Sequence, residues 1–382
     1  MQKKLIALAV AGLLSAPAFA QSNVTLYGTI DYGFTSLGSN DAEGVKSRQG
    51  IDSGISKANR IGFKGAEDLG NGLKAVFVLE TGLNGDQSSL FNDGKARQSY
   101  AGLAGGFGTV AFGRQYTPQH LFTSAVDPFG KNGFGSAGNV LVQDRRLDNL
   151  AAYISPSFGG FSFIFGYTFN GIGQENLEND GDARVWAFAP SFTWNNLFVG
   201  ANYHTANVKA AHGPNTSAFN ALDLYASYDF GFVKVGSTIG RRTTKQAVNP
   251  WISNKDTKLT QFMIGATFRI TPNDSILTSY SRARENDFDN SGNRPRIGQW
   301  AIGYEHALSK RTVLYSQFAV QSHNADYKEY GFTGTFFTDG PVGSVTSSNG
   351  PNVGSAPSFV NQELQTGNQY RRGFVVGFRH DF

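Results

Sequence analysis

The sequence predicts an all-β fold: a 16-stranded antiparallel transmembrane β-barrel over residues 21–382, preceded by a cleaved leader at residues 1–20. Three observations lead there. Apolar and polar side chains alternate with a period of two along most of the chain, as they do in a strand with two unlike faces. The alternating runs have about the 9–11 residues that a tilted membrane strand needs, or slightly more. The connections between them are short and long by turns, which gathers tight turns at one rim and long loops at the other.

The leader comes first. Lys3 and Lys4 form a positive start, and Leu5 to Leu14 form an apolar stretch too short to cross a bilayer. Ala18-Phe19-Ala20 is a small-residue cleavage site, so the exported chain should begin at Gln21. Beyond it, strands are expected at about 23–34, 55–67, 72–83, 94–104, 107–115, 146–155, 158–169 and 181–193. Eight more follow at about 196–206, 219–229, 231–242, 257–270, 273–284, 296–308, 311–323 and 369–382. Between 258 and 269, Phe262, Ile264, Ala266 and Phe268 share one face, opposite Gln261, Thr267 and Arg269; Met263 and Gly265 interrupt the polar face. Between 297 and 305, Trp300, Ile302 and Tyr304 oppose Gln299, Gly303 and Glu305. The long connections are 35–54, 84–93, 116–145, 170–180, 207–218, 243–256, 285–295 and 324–368.

Composition removes the rivals. The chain has 47 Gly, 32 Phe and 15 Tyr, yet its mean hydropathy is −0.28, too low for a bundle of apolar helices. So many aromatic residues argue against disorder. With no Cys, no disulfide framework can hold an exported chain. A closed ladder can, because it pairs every backbone group in lipid and leaves no edge. Without the two leader lysines, 31 basic residues face 29 acidic ones, which is no nucleic-acid footprint. A soluble β-sandwich would also alternate, but sixteen long strands exceed an ordinary one.

The two faces have different solvents. Phe63, Phe77, Leu79, Phe161, Phe163, Phe165, Phe262, Phe268, Trp300, Leu314, Phe318, Phe374 and Phe378 should face lipid. Arg60, Lys64, Lys74, Glu80, Arg97, Gln261, Gln299, Glu305, Gln317, Gln321 and Arg379 should face inward. So many long polar chains cannot all find partners in a dry interior, where an unpaired charge costs several kcal/mol. A barrel of about sixteen strands is wide enough to hold water, so the pattern points to a channel.

The chain resembles the trimeric general porins of Gram-negative bacteria. The resemblance is carried by Val24–Gly28, Arg60–Gly70, Gly72–Glu80, Arg97–Leu103, Gly105–Gln115, Asp127–Gly130 and Ser155–Phe161, in that order, and by the terminal Phe382. It implies homotrimers in the outer membrane, contact with lipopolysaccharide, and passage of small hydrophilic solutes and ions. It implies that Phe382 belongs to the signal read by the barrel-assembly machinery. It implies that the third long loop, 116–145, is folded into the lumen as a constriction. Arg60, Arg97, Arg114 and Arg146 would then form an arginine ladder, opposed by Glu80, Asp127 and Asp144. Relatives often carry a basic residue before the Tyr at 153; here it is Ala152, so one rung is missing and the anion preference should be weak.

Other signals carry less. Gly133-Phe-Gly135-Ser-Ala-Gly138 fits a dinucleotide fingerprint but lies in a long loop without βαβ context. The six His have no metal spacing, and Asn215-Thr-Ser is a sequon without the cell to use it. No cofactor or metal is expected. An enzyme on a barrel would need a Ser/His or Asp/His constellation at the rim, and none stands out. A substrate-specific channel for a sugar, phosphate or organic anion is the alternative; its aromatic track or lysine cluster is not evident.

Overall fold

The structure is a computed structural model that describes residues 23–38, 47–86, 88, 90–130, 133–143, 145–171, 183–208, 217–245, 256–286, 292, 294–324 and 372–382. The leader, Asp144 and the 325–371 stretch lie outside the described residues.

Strand segments fill most of the described chain. They are β1 (Asn23–Leu37), β2 (Arg48–Ser53), β3 (Arg60–Gly70), β4 (Leu73–Leu83), β5 (Phe91–Gly105), β6 (Gly108–Tyr116), β7 (Arg146–Ile154), β8 (Phe161–Thr168) and β9 (Ala183–Trp194). They continue as β10 (Leu197–Val208), β11 (Ser217–Asp229), β12 (Val233–Lys245), β13 (Thr257–Arg269), β14 (Asp274–Glu285), β15 (Arg296–Ala307), β16 (Thr312–His323) and β17 (Arg372–Asp381). From β3 onward each pairs antiparallel with its sequence neighbour, β2 and β3 both pair with β1, and β17 returns to β1, so the sheet is closed. Among the described residues no helix is long and apolar enough to cross a membrane; the strands cross it.

The closed barrel has sixteen strands because β2 and β3 share one place. β3 pairs with the start of β1 (Asn23↔Ala66 to Thr29↔Arg60), and β2 pairs with its end (Tyr32↔Ser53 to Leu37↔Arg48). Here the structure departs from the expected loop 35–54 and strand 55–67. The break at 54–59 has a cause in Asp31, whose buried carboxylate accepts the Ser56 and Lys57 amides at 2.8 and 2.6 Å. Those amides are drawn off the ladder, and Gly54 supplies the positive φ of 68° that the detour needs. At the opposite rim, Asn71 and Gly72 both take left-handed backbone between Gly70 and Leu73, the requirement of a two-residue hairpin turn.

The faces separate as the alternation requires. Phe63, Leu79, Phe161, Phe165, Phe268, Trp300, Leu314, Phe374 and Phe378 are exposed on the outer wall. Gln261, Gln299, Gln317 and Gln321 are buried inside it. The interior also holds apolar clusters. Phe122, Val126, Val140 and Val142 pack on Phe198, Tyr225, Met263 and Ile297; Phe129 and Phe134 pack with Ile55, Leu277 and Tyr315. Met263 is thus no exception to the alternation: its inward face meets folded-in chain, not water.

The seam is sealed at the chain's end. The amides and carbonyls of Gly28 and Phe382 exchange bonds of 3.1 and 3.2 Å. The Phe382 ring lies over Gly28, where a Cβ would sit 2.3 Å from it. Gly28→Val should therefore lift the ring and lower the temperature at which the folded band converts to the unfolded one on a denaturing gel. An unchanged conversion temperature would mean the seam does not depend on this seat.

Candidate functional site

Two structures meet inside the barrel: a charged cluster on β3–β7 and the long segment between β6 and β7. The segment opens with Thr117, which caps the helix α1 (Pro118–Val126) by accepting the His120 amide at 3.2 Å, and Pro118 starts the helix. It ends where the Arg145 carbonyl accepts the Thr117 amide at 3.0 Å, and a 3₁₀ turn lies at Ala137–Asn139.

Between those ends the segment is fastened to the wall β11–β16. Gln119 donates to Asp223 on β11 at 2.8 Å, and Lys234 on β12 donates to the Ala125 carbonyl at 2.8 Å. Gln261 on β13 binds both the amide and the carbonyl of Val142, at 2.8 and 3.1 Å. Gln299 on β15 donates to the Ser136 carbonyl at 3.1 Å, and Gln317 on β16 accepts the Gly135 amide at 3.2 Å. Inward-facing glycines make the room. A Cβ at Gly236 would stand 2.0 Å from the Val126 carbonyl oxygen, and one at Gly265 would stand 2.7 Å from Pro128. Sequence reasoning counted the glutamines as wetted and overlooked the glycines; the readable signal was glycine recurring on the inward face.

The charged cluster is built by adjacent strands. Arg97 Nε lies 2.8 Å from Glu80 Oε1, and Arg60 Nε lies 3.6 Å from Glu80 Oε2. Tyr27 donates to the same carboxylate at 3.1 Å. Arg97 also donates to the Tyr116 hydroxyl at 3.0 Å, and so does Arg146 at 3.3 Å, its guanidinium lying 4.8 Å over the Tyr116 ring. Glu80 is almost wholly buried, at 3% side-chain exposure, while Arg60 and Arg97 keep 13% and 12%. Burying an ion costs several kcal/mol, and here two guanidiniums and a phenol offset that cost for one carboxylate. Tyr27 and Tyr116 were not anticipated from the sequence.

Of the residues singled out beforehand, Arg60, Glu80, Arg97 and Arg146 come together. Arg114 does not join them. It lies at a register shift between Gly113 and Gln115, bonds the Ala96 carbonyl at 2.8 Å and pairs with Asp148 at 2.5 Å. Asp127 turns into its own segment, where it accepts the amides of Phe129 and Ala137 and the Ser136 hydroxyl at 2.9–3.0 Å. Burial pushes its carboxyl up to about 7 against those donors. Asp144 lies outside the described residues. Among the described residues no cluster of His, Cys, Asp and Glu could hold a metal.

Comparison places this geometry among known channels. A family model described as Gram-negative porin matches residues 7–326. Outer membrane porin protein 32 of Delftia acidovorans is 31% identical over 94% of this chain and all of its own length. The solved structure of an anion-selective porin from Comamonas acidovorans superposes with a TM-score of 0.72, at 25% identity over 95% of this chain and all of that one. The trimer form of OmpT from Vibrio cholerae superposes at 0.66, with 16% identity over 94% and 99% of the two chains.

Two outcomes follow from the site. Glu80→Gln should leave Arg60 and Arg97 without their counter-charge and destabilise the barrel by about 3 kcal/mol, the scale of stripping one partner from a buried pair; the folded-band conversion temperature reads it. Gly236→Leu should force α1 off its wall into the lumen at about 1–3 kcal/mol of overpacking. Single-channel conductance should fall, and an unaltered conductance would remove α1 from the conduction path.

Proposed function

This chain belongs to the Gram-negative porin family, and on that premise we propose that its throat favours small anions while admitting hydrophilic solutes in general. It is an outer-membrane porin: a closed β-barrel through which ions and small polar solutes diffuse passively. It is a channel rather than an enzyme.

The preference rests on one observation. The guanidiniums of Arg60 and Arg97 hold one carboxylate, Glu80, and Arg146 joins them through the Tyr116 hydroxyl that Arg97 also bonds, so Arg60, Arg97 and Glu80 together keep net positive charge. The segment 117–145 serves as the constriction, set against this cluster by its bonds to the opposite wall. In so narrow a throat water screens poorly, and fixed positive charge raises the local concentration of anions. The anion-selective porin of Comamonas acidovorans, similar along the whole chain, supports the sign. Arg114, held by Asp148, contributes less than the other three, and Asp127 shapes the constriction by bracing its backbone. Residues 1–20 act as the export leader and Phe382 as part of the assembly signal. The barrel works as a homotrimer, as the family resemblance implies, with lipopolysaccharide around its outer rim.

In planar bilayers with a KCl gradient, the reversal potential should show a modest preference for chloride. Neutralising Arg60 and Arg97 together as glutamines should shift it toward potassium. A cation preference in the unaltered protein would overturn the sign, and an unmoved potential in the double variant would take these two arginines out of the throat.

A further inference from the structure

The lumen holds a second group of charges, at the seam between β1 and β17, outside the cluster around Glu80. The detour 54–59 brings in Lys57, whose ammonium donates to Asp381 on β17 at 2.7 Å. The same carboxylate oxygen accepts the Thr29 hydroxyl at 2.6 Å. Thr29 pairs with Arg60 on one side and with Asp381 on the other. Those two residues therefore stand two strand spacings apart, about 10 Å. Lys57 lies within electrostatic reach of both. Beside it, Arg379 pairs with Glu305 at 3.3 Å and donates to the Ser56 hydroxyl at 2.5 Å. Asp31 is wholly buried, and its carboxylate accepts the Tyr315 hydroxyl and the Ser56 and Lys57 amides.

The detour also meets segment 117–145. The Phe134 amide donates to the Ile55 carbonyl at 2.9 Å, and a Cβ at Gly133 would stand 3.1 Å from the Ser56 carbonyl oxygen. Lys57 follows directly, so it stands where the segment reaches the seam wall, beside the row of Arg60, Thr29 and Asp381. Strand alternation could not place it there, because 54–59 is off the ladder. Its setting differs from that of the arginines. Arg60 and Arg97 share a covered carboxylate and keep 13% and 12% side-chain exposure, whereas Lys57 keeps 29% and its partner Asp381 keeps 40%. Arg379 is more deeply covered than Lys57 and is tied to two partners. An ion pair as open as Lys57–Asp381 is held weakly, because water and salt compete for both ends. The ammonium is a compact charge on a flexible stem, so it can exchange partners where a guanidinium fork is fixed.

We propose that Lys57 is a further selectivity residue of the throat, a station for small anions: it leaves Asp381 to take a passing anion and hands it on to Arg60. The detour 54–59 then supplies part of the selectivity that the wall alone would otherwise set, and Asp381 is the counter-charge that holds the ammonium between passages. The station rests on the anion-favouring throat proposed above. A cation preference in the unaltered protein would remove that reading, whereas the direction in which the variants below move the preference tests Lys57 whatever the starting value.

The test is the reversal potential of the full-length protein in planar bilayers, across a gradient centred on about 0.1 M KCl, where the screening length is about 10 Å. Lys57→Gln should lower the chloride-to-potassium permeability ratio roughly twofold, the scale of one charge acting over about 10 Å of water. Asp381→Asn should raise the ratio by a similar factor, because it frees the ammonium to the lumen. Lys57→Arg should stay closer to wild type than Lys57→Gln does. A pair that only braced the detour would respond alike when broken from either side. Shifts of the same sign, or an unmoved ratio in Lys57→Gln, therefore overturn the proposal. At about 1 M KCl, where the screening length is about 3 Å, the differences between variants and wild type should vanish. A difference that persists there is one of shape rather than charge, and it too overturns the proposal. Both variants should fold, since so open a pair adds little stability; should one fail, the sign of the other's shift decides.

Discussion

Everything in this protein depends on the rule that no backbone N–H or C=O may stand unpaired in hydrocarbon. A sheet satisfies the rule only if it has no edge, and a sheet loses its edges only by closing. The ladder therefore closes from β1 round to β17 and back, with β2 and β3 sharing one place beside β1. Closure fixes the register of all strands together, because one slip would carry a strand's phenylalanines into the lumen and its charges into lipid. It also makes cysteine dispensable. Where protein and not lipid covers the chain, other partners meet the rule, and there the chain departs from strand: at 54–59 its amides turn to the Asp31 carboxylate, and at 117–145 it leaves the wall.

Closure creates an interior, and the interior is divided. One side is largely apolar, where segment 117–145 packs its Phe122, Val126 and Val142 against inward-facing apolar residues and glycines. The other carries Arg60 and Arg97 around Glu80, with Arg146 beside them on Tyr116. The division follows from the burial cost of ions. Guanidiniums keep some contact with water while the carboxylate among them is covered, and segment 117–145 is held mostly by side-chain amides, with Asp223 and Lys234 as its charged partners.

Much of this was legible in the sequence, for a definite reason. A side-chain period of two is geometrically locked to the strand, so Phe262, Phe268, Trp300 and Phe378 declare their face wherever the register lies. Arg60 and Glu80 could be named because they sit on neighbouring strands at the same parity; Arg97, named from the resemblance, reaches them as the extra residue between the Gln98 and Ala96 pairs. What escaped was whatever depends on a third body. Gln261, Gln299 and Gln317 read as wetted residues, because alternation says which way a side chain points and not what it meets there. Glycine at 236 or 265 reads as a gap in the pattern until the segment that fills the gap is in place. Arg114 drifts from the other arginines through a register shift that leaves no compositional trace, and the break between β2 and β3 is dictated by Asp31, more than twenty residues earlier.

The fastening of segment 117–145, chiefly by the side-chain amides of Gln261, Gln299 and Gln317, bears on the proposed throat. Hydrogen bonds between uncharged groups are nearly indifferent to ionic strength, whereas the attraction of an arginine cluster for anions fades as salt rises. In the throat proposed above, width and selectivity would thus be governed by separate interactions. A cell moving from dilute to brackish surroundings would keep the same sieve while its discrimination between ions relaxed: the size of what enters stays fixed by the fold, and the charge of what enters is set partly by the medium.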